Sequence, residues 1–477
     1  MKPVAPVASV PRPLAPLMAL LLAGCAVTAQ RPPAEPPAPA AFQGSSEWQR
    51  VPADVQVPDA WWTMFKDPVL DRLQSELVVG NQNLASALAQ VRSARAVLAA
   101  SQSAIFPTLS LGAGTTRSAT AENANGQRTV ATSNSLTANA SWELDLWGRL
   151  AEGVKAAGAS YQASEADLAA LRLSAQATLT QSYFSLRTAE AQQALLERTV
   201  AATQRTLELT QARYASGVVA QSDVLQARTQ LRSVQAQLSD LRTQRAQLLH
   251  ALAAQLGQLP GQFQLPASAA LPELPPVPML VPSLVLAQRP DLAAARARQV
   301  AAYAQIGIAD AAFFPTVDLS ASAGYRGASW SKLVSAPNLV WSLGAALTAP
   351  LFDGGQRQLA STQARASADV ATANYRQAVL TAFQEVEDNL VQFSESGEAL
   401  ALQRDAFEAA SRNLALVLDQ YRAGTVSYLN VSTAQTSALS AEGNVLSARN
   451  RQLVAASVLL KNLGGRLPAS VTTAARP

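Results

Sequence analysis

One long stretch of this chain occurs twice, which commits it to a fold made of two like halves. Ile105-Phe106-Pro107-Thr108-Leu109-Ser110-Leu111 returns as Phe313-Phe314-Pro315-Thr316-Val317-Asp318-Leu319, with Phe314 lying 208 positions after Phe106. Asn83-Leu84-Ala85 returns at the same offset as Asp291-Leu292-Ala293, and so do Asp145 and Arg149 as Asp353 and Arg357. Gly217 and Gly424 are 207 apart, as are Leu256-Gly257 and Leu463-Gly464. A single one-residue change of register over so long a span identifies a tandem duplication.

Each copy carries the same order of elements. In the first, Asp67-Pro68 opens a helical pattern that runs to about residue 104, with Asp67 placed to cap it and Pro68 suited to its first turn. Phe106-Pro107 stops it. Two alternating stretches follow, at 108–115 and 136–146, with a Gly/Asn/Thr/Ala-rich loop between them at about 117–133. In the second stretch Leu136, Ala138, Ala140, Trp142, Leu144 and Leu146 share one face, as in a half-apolar strand. From Arg149 to Leu259 there is no proline, and the pattern is helical except at a tip around Gly217. The second copy has a helix from Arg289 to about 312, strands at 316–325 and 339–351, and a long helical run from 355 to 463 that turns at Gly424.

At about 1.5 Å per residue the arm 150–216 would span roughly 100 Å, and its return arm 220–257 little more than half of that. The helix 70–104 supplies the missing length if it stacks on the return arm, with the strands at one end and the tip at the other. The expected organisation is a signal peptide at 1–24, a tether at 25–58, a first repeat at 59–259 with its β-hairpin at 108–146, a linker at 260–282, a second repeat at 283–465 with its β-hairpin at 316–351, and a tail at 466–477.

The N-terminal apolar run 14–22 is too short to cross a bilayer and follows Lys2 and Arg12, as a signal peptide does. It ends Leu22-Ala23-Gly24-Cys25, which resembles a bacterial lipobox. That resemblance implies cleavage before Cys25 and lipid on its thiol and amine, and Ala26 after it suggests the outer membrane. The Pro-rich segment 31–39 reads as an extended tether. No later stretch is apolar for long enough to be a membrane helix, so any span must be β.

Four strands cannot close a barrel, and an open edge cannot sit in lipid. If these strands span a membrane, chains must associate, and three of them would supply twelve strands. One Cys and one His leave little for a protein-built metal site or disulfide framework. The net charge is only +4 and its bases are interleaved with acids, so a nucleic-acid surface is not expected. Glu385, Glu387 and Asp388 have no His or nucleophile beside them and read as a solvated face; His250 is isolated; Gly354-Gly355 is not a phosphate loop. No catalytic residue, cofactor or metal is expected.

Together these motifs resemble the TolC-type outer-membrane factors, in the lipoprotein branch that serves efflux pumps. The residues that carry the resemblance are Trp61-Trp62-Thr63-Met64-Phe65-Lys66-Asp67-Pro68-Val69-Leu70, Arg289-Pro290-Asp291-Leu292, the two Phe-Pro-Thr triplets and Leu351-Phe352-Asp353-Gly354-Gly355. The resemblance implies an α+β membrane protein: a homotrimeric twelve-stranded β-barrel, four strands per chain, continued by a twelve-track α-helical barrel of long coiled-coil hairpins. It implies a lipid-anchored protein of the bacterial outer membrane that extends into the periplasm as a passive exit duct for small molecules such as drugs. Its partners would be a periplasmic adaptor and an inner-membrane transporter of the resistance-nodulation-division class. The tips around Gly217, Val218 and Val219 and around Gly424, Thr425 and Val426 would meet the adaptor. Asp223 and Tyr421 match a family link that locks the tip, and an N-cap for Asp223 and seam packing for Tyr421 are the plainer readings. Val426, Asn430 and Thr433 depart from the family's gate residues. Two other readings stay open, an exit duct for protein secretion and a non-conducting periplasmic coiled-coil lipoprotein.

Overall fold

A computed structural model describes residues 32–33, 58–122, 126, 128–276 and 289–464. The signal peptide, Cys25, most of the tether, the end of the linker and the tail lie outside the described residues. In chain order the elements are α1 (Pro68–Gly80), α2 (Gln82–Ser103), β1 (Thr108–Ala119), β2 (Val130–Leu144), α3 (Arg149–Ala215), α4 (Gln221–Gln255), α5 (Pro290–Ala311), β3 (Thr316–Gly327), β4 (Leu339–Thr348), α6 (Gln356–Ala423) and α7 (Tyr428–Gly464). No helix among the described residues is long and apolar enough to cross a membrane. The chain divides into two compact units. One holds Met1–Glu35, Gln90–Ser164 and Ala294–Arg376, and the other Pro36–Ala89, Glu165–Ala293 and Gln377–Pro477.

The first unit contains a four-stranded antiparallel sheet in the order β1-β2-β3-β4. The strands of the two repeats therefore join in one sheet, β2 pairing with β3 from Asn134↔Gly327 to Leu144↔Val317. Registers place Leu111 opposite Ala138, Ala138 opposite Ala323, and Ala323 opposite Trp341. The parallel row is Leu109, Ala140, Ala321 and Leu343. Side chains alternate between faces along a strand, so these rows give one continuous apolar face. The intervening rows, such as Ser110, Asn139, Ser322 and Ser342, give a polar one, where the Ser322 and Ser342 hydroxyls bond at 2.9 Å. Both edge strands are exposed along their whole length.

Several boundaries differ from the sequence expectation: the strand expected at 316–325 continues to Gly327, and the one expected at 339–351 ends at Thr348, where Pro350 follows. Pairing of β1 with β2 continues through Arg117↔Thr132 to Ala119↔Val130, so the loop expected at 117–133 is shorter. Leu146 lies beyond β2, in a turn where its N–H donates to the Leu144 carbonyl.

Aspartates start the helices that leave the sheet. Asp145 accepts from the backbone N–H groups of Leu150 and Ala151, and its duplicate Asp353 from those of Gly355 and Arg357. The Arg357 side chain also donates to Asp353 and holds that carboxyl below its usual range. Trp147 of the first repeat stacks on Phe314 of the second at 5.0 Å and donates to the Pro315 carbonyl, so one duplicated Phe-Pro-Thr triplet is clasped by the other copy.

The second unit has its main core where the 3-10 turn Trp61–Phe65 and α1 bury Trp61, Phe65, Leu70, Leu73 and Leu77. They pack on Tyr183, Phe184 and Leu186 of α3, with Leu252 of α4, Val386 of α6 and Leu459 of α7 in the same cluster. Asp67 caps α1 as expected, accepting from Val69 and Leu70, and its second oxygen receives the Tyr183 hydroxyl at 2.6 Å. Arg187 donates to Tyr183, to Glu190 at 2.7 Å and to the Pro266 carbonyl, while Glu190 also accepts from Arg245 and from the Ser268 backbone. Arg187 and Glu190 are buried charges that compensate one another. With Arg449, which donates to the Pro272 carbonyl, they strap the linker to the helices.

The helix expected at 70–104 is broken. Asn81 ends α1 and caps α2, its side chain accepting from Asn83 and Leu84 and donating to the Gln255 carbonyl at 2.7 Å. The break lets Gly80 meet the end of α4 without side chains between them. A Cβ on Gly80 would stand 2.1 Å from the Leu256 carbonyl oxygen, and one on Gly257, which has φ +69, would stand 2.0 Å from that of Gly80. Gly80→Ala and Gly257→Ala should each destabilise the protein by about 2 kcal/mol or more, the sum of overpacking and, at Gly257, left-handed strain. Gly261→Ala, which meets nothing within 4 Å, should leave the thermal transition of the detergent-solubilised protein unchanged. Equal transitions for all three variants would refute the close approach.

Candidate functional site

The two tips have the same backbone chemistry. At the first, the N–H of Gly217 donates to the Tyr214 carbonyl and that of Val218 to the Arg213 carbonyl, both at 2.9 Å. At the second, Gly424 donates to Tyr421 and Thr425 to Gln420, both at 3.0 Å. This pattern closes a helix through a left-handed residue, here glycines with φ +72 and +78. Val218, Gly217, Gly424 and Thr425 are exposed, whereas Val219 and Val426 are half-buried. Val426 packs against a small apolar core of the tips rather than presenting itself fully.

That core contains Leu207 of α3, Ala227 and Leu231 of α4, Tyr421 of α6, and Tyr428 and Val431 of α7. Tyr421 is 1% exposed. Its hydroxyl hydrogen-bonds Thr210 Oγ1 at 3.0 Å, its carbonyl accepts from Arg213 at 2.5 Å, and the same guanidinium lies 4.8 Å from its ring centroid. Tyr428 meets the Tyr421 ring edge-on at 6.1 Å. Burial, reinforced by Tyr421, pushes the Tyr428 hydroxyl up to about 12, so it stays neutral at physiological pH. The tips of the two repeats are thus joined by one buried tyrosine held by a hydroxyl, a guanidinium and a second ring. A groove of about 540 Å³ continues along α3, α6 and α7 beside this lock, bridged by Arg198–Glu442 at 2.7 Å.

Asp223 and Tyr421 are not brought together within the chain. Tyr421 bonds Thr210, and the Asp223 carboxylate accepts from Ser222 Oγ at 3.5 Å. Nor is Asp223 the N-cap: that residue is Ala220, which makes no side-chain cap. The helix begins at Gln221, so Asp223 falls in its first turn, where a negative charge still favours the helix dipole. Seam packing for Tyr421 matches its burial. Asn430 and Thr433 are exposed, and the Thr433 hydroxyl returns to the Leu429 carbonyl. Thr210, Arg213 and Tyr428 were not singled out from sequence. The signal for them was asymmetry between the copies: Tyr214 and Tyr421 correspond, but only Tyr421 has a second Tyr just past its glycine turn.

The residues set aside as non-catalytic are placed as follows. His250 is exposed. Glu385 is paired with Arg289 at 2.8 Å rather than merely solvated, and Asp388 accepts from Gln384. The described residues hold no group of three His, Cys, Asp or Glu that could bind a metal.

A family profile described as outer membrane efflux protein matches residues 73–258 and 281–465, one match for each repeat. The toluene efflux pump outer membrane protein TtgF of Pseudomonas putida is 30% identical over 461 residues, covering 94% of this chain and 95% of that one. The pyoverdine export outer membrane protein OpmQ of Pseudomonas aeruginosa is 30% identical over 463 residues, with the same coverage of each. The solved outer-membrane channel OprN superposes with a TM-score of 0.85 at 28% identity, over 92% of this chain and 99% of that one.

The lock makes a local prediction. Tyr421→Phe removes one neutral hydrogen bond and should loosen the tips by about 1 kcal/mol. Arg213→Ala removes the carbonyl bond and the ring contact together and should loosen them further. Hydrogen–deuterium exchange of peptides spanning 415–435 would show this, with Arg213→Ala exchanging fastest. Exchange identical to wild type in both variants would mean the contacts do not hold the tips.

Proposed function

Because the chain belongs to the outer membrane efflux protein family, whose members serve as the outer-membrane channels of efflux pumps, we propose that it is the passive trimeric exit duct of a tripartite system for small molecules. The observation that carries this reading is the sheet. Four strands with an apolar face, a polar face and two unpaired edges are a segment of a barrel and not a whole one. Backbone groups left open at those edges would cost several kcal/mol each in hydrocarbon. Three chains would pair every edge, turning the Leu109, Leu111, Trp341 and Leu343 face to lipid and the serine and threonine face to water.

In this reading the tips are the periplasmic end. The exposed turns at Gly217, Val218, Gly424 and Thr425, with Val219 and Val426 behind them, receive a periplasmic adaptor. An inner-membrane transporter, of the resistance-nodulation-division class, supplies the energy. The tips hold the duct closed until then. Tyr421 acts through the Thr210–Arg213 lock, and Asp223, at the start of α4, acts on the neighbouring chain or on the adaptor. Cys25 carries lipid and anchors the N-terminus in the outer membrane, and the chain is a transporter component and not an enzyme. Relatives export toluene or pyoverdine; the class proposed for this chain is small organic molecules, with the pump and adaptor choosing among them.

Purified protein in planar bilayers should conduct as a trimer, and Asp223→Ala should raise its basal conductance. A trimer that never conducts, with or without adaptor, would defeat the channel reading. Labelled palmitate should enter the wild-type protein and not Cys25→Ser; equal labelling would remove the anchor.

A further inference from the structure

The loop that joins β3 to β4 folds back over one face of the sheet. Trp330 donates through its indole N–H to Thr115 Oγ1 of β1 at 3.0 Å, and the Thr115 hydroxyl donates to Asn134 Oδ1 at 2.9 Å. Asn338 donates to the Lys332 and Leu333 carbonyls, and a Cβ on Gly327 would stand 3.0 Å from the same amide nitrogen. Thr115, Asn134 and Gly327 form one cross-strand row. Side chains alternate along a strand, so this row lies on the face of Leu109, Leu111 and Ala113. The loop therefore covers the hairpin end of the apolar face, where Asn134 and Leu333 are each only 2% exposed.

Charge is divided along the sheet in the same direction. Residues 114–137 and 322–341, which make up the hairpin end, carry Arg117, Arg128, Arg326 and Lys332 against one acid, Glu122. No acid occurs between Asp318 and Asp353. Carboxylates gather at the other end, where Glu143 pairs with Arg149 and where Asp145 and Asp353 start helices. Arg117 lies two residues beyond Thr115 and therefore on its face, and Lys332 ends the 3-10 turn that Trp330 begins. Both bases are exposed, and Trp330 is 50% exposed. Arg326 has the opposite parity and belongs to the polar face with Ser322.

We infer that Arg117, Trp330 and Lys332 form a collar that binds the headgroup of a diphosphorylated lipid in the outward-facing leaflet. This rests on the trimeric duct reading above, which puts the apolar face in lipid and the hairpin end outside. From Leu347 to Leu339 that face runs for roughly 26 Å along β4, the scale of the apolar band of a membrane barrel. The collar begins one row beyond Leu339, at the height of the headgroups. A Trp ring suits such a boundary, and Thr115 satisfies its N–H and fixes the turn that carries Lys332. Arg offers phosphate a fork of donors and Lys a point charge. The occupant is a lipid because the two bases border the same face as Leu339 and Trp341, so headgroup and chains are met together. It carries two phosphates because two cations stand on this rim and no acid of β1, β3 or β4 shares their face.

Native mass spectrometry of the full-length, detergent-extracted trimer with added lipid A, a diphosphorylated glycolipid, tests this. Wild type should retain the lipid. Arg117→Ser with Lys332→Ser should bind it about tenfold or more weakly while remaining trimeric. Should the double variant fail to assemble, Lys332→Ser alone, in an exposed turn, should still weaken binding about fivefold. Arg326→Ser, on the polar face, should bind as wild type does. Lipid A stripped of both phosphates should bind wild type as weakly as intact lipid A binds the double variant. Equal retention by wild type and the collar variants, or an equal loss in Arg326→Ser, would overturn the collar. Phosphatidylglycerol held as tightly as lipid A would overturn the assignment to a diphosphorylated headgroup. A chain that never forms trimers defeats the duct reading and this inference together, whereas an intact trimer that does not retain lipid A defeats this inference alone.

Discussion

A backbone N–H or C=O has nowhere to turn in hydrocarbon except to another backbone, and much of this molecule follows from that. The chain supplies four strands whose register gathers its apolar residues on one side and its hydroxyls on the other. Such a sheet is incomplete at both edges, so the chain is best understood as a fraction of an object. Duplication is the economical way to make such a fraction, since each half contributes one hairpin of strand and one hairpin of helix. The pairing of β2 with β3 welds the halves at the sheet, and Tyr421 joins them at the tips.

The helices meet a different constraint. Their seams are filled by Ala, Leu, Ser and Thr, and they approach closely because little stands between them. Where even a methyl group is too much, the chain uses glycine, as at Gly80 and Gly257. Among the described residues the buried charged side chains, Arg187 and Glu190, sit together in one hydrogen-bonded cluster. The path from Asp67 through Tyr183 and Arg187 to Glu190 is the largest described in this unit, and burial followed by the Asp67 hydrogen bond raises the Tyr183 hydroxyl far enough to keep it neutral. Charge is thereby kept to groups whose partners are already in place.

Much of this was written in the sequence in a form that physics can read. The offset of 207 to 208 identified the repeat, proline and glycine marked the ends of the long helices, and Asp67-Pro68 declared a helix start that the structure has. What could not be read depended on neighbours far along the chain. The break at Asn81 is set by its bond to Gln255 and by the approach of Gly257, neither visible in a local pattern that stays helical through Gly80. The extension of β1 and β2 depends on pairing and not on alternation, because Gly, Thr and Ser continue the strands with little apolar signal. At the tips, Tyr421 was recognisable but its holders were not: Thr210 and Arg213 lie 211 and 208 positions away.

The strap on the linker has a consequence for how the two halves stay together. A duplicated chain with a loose connection could lend its second half to a neighbour and accept another in return, since every half presents nearly the same surfaces. Arg187 and Glu190 of the first repeat hold the linker by the Pro266 and Ser268 backbone, and Arg449 of the second repeat holds it again at Pro272. The segment that joins the halves is thus tied to both of them, which limits how far either half can move away from its own sibling.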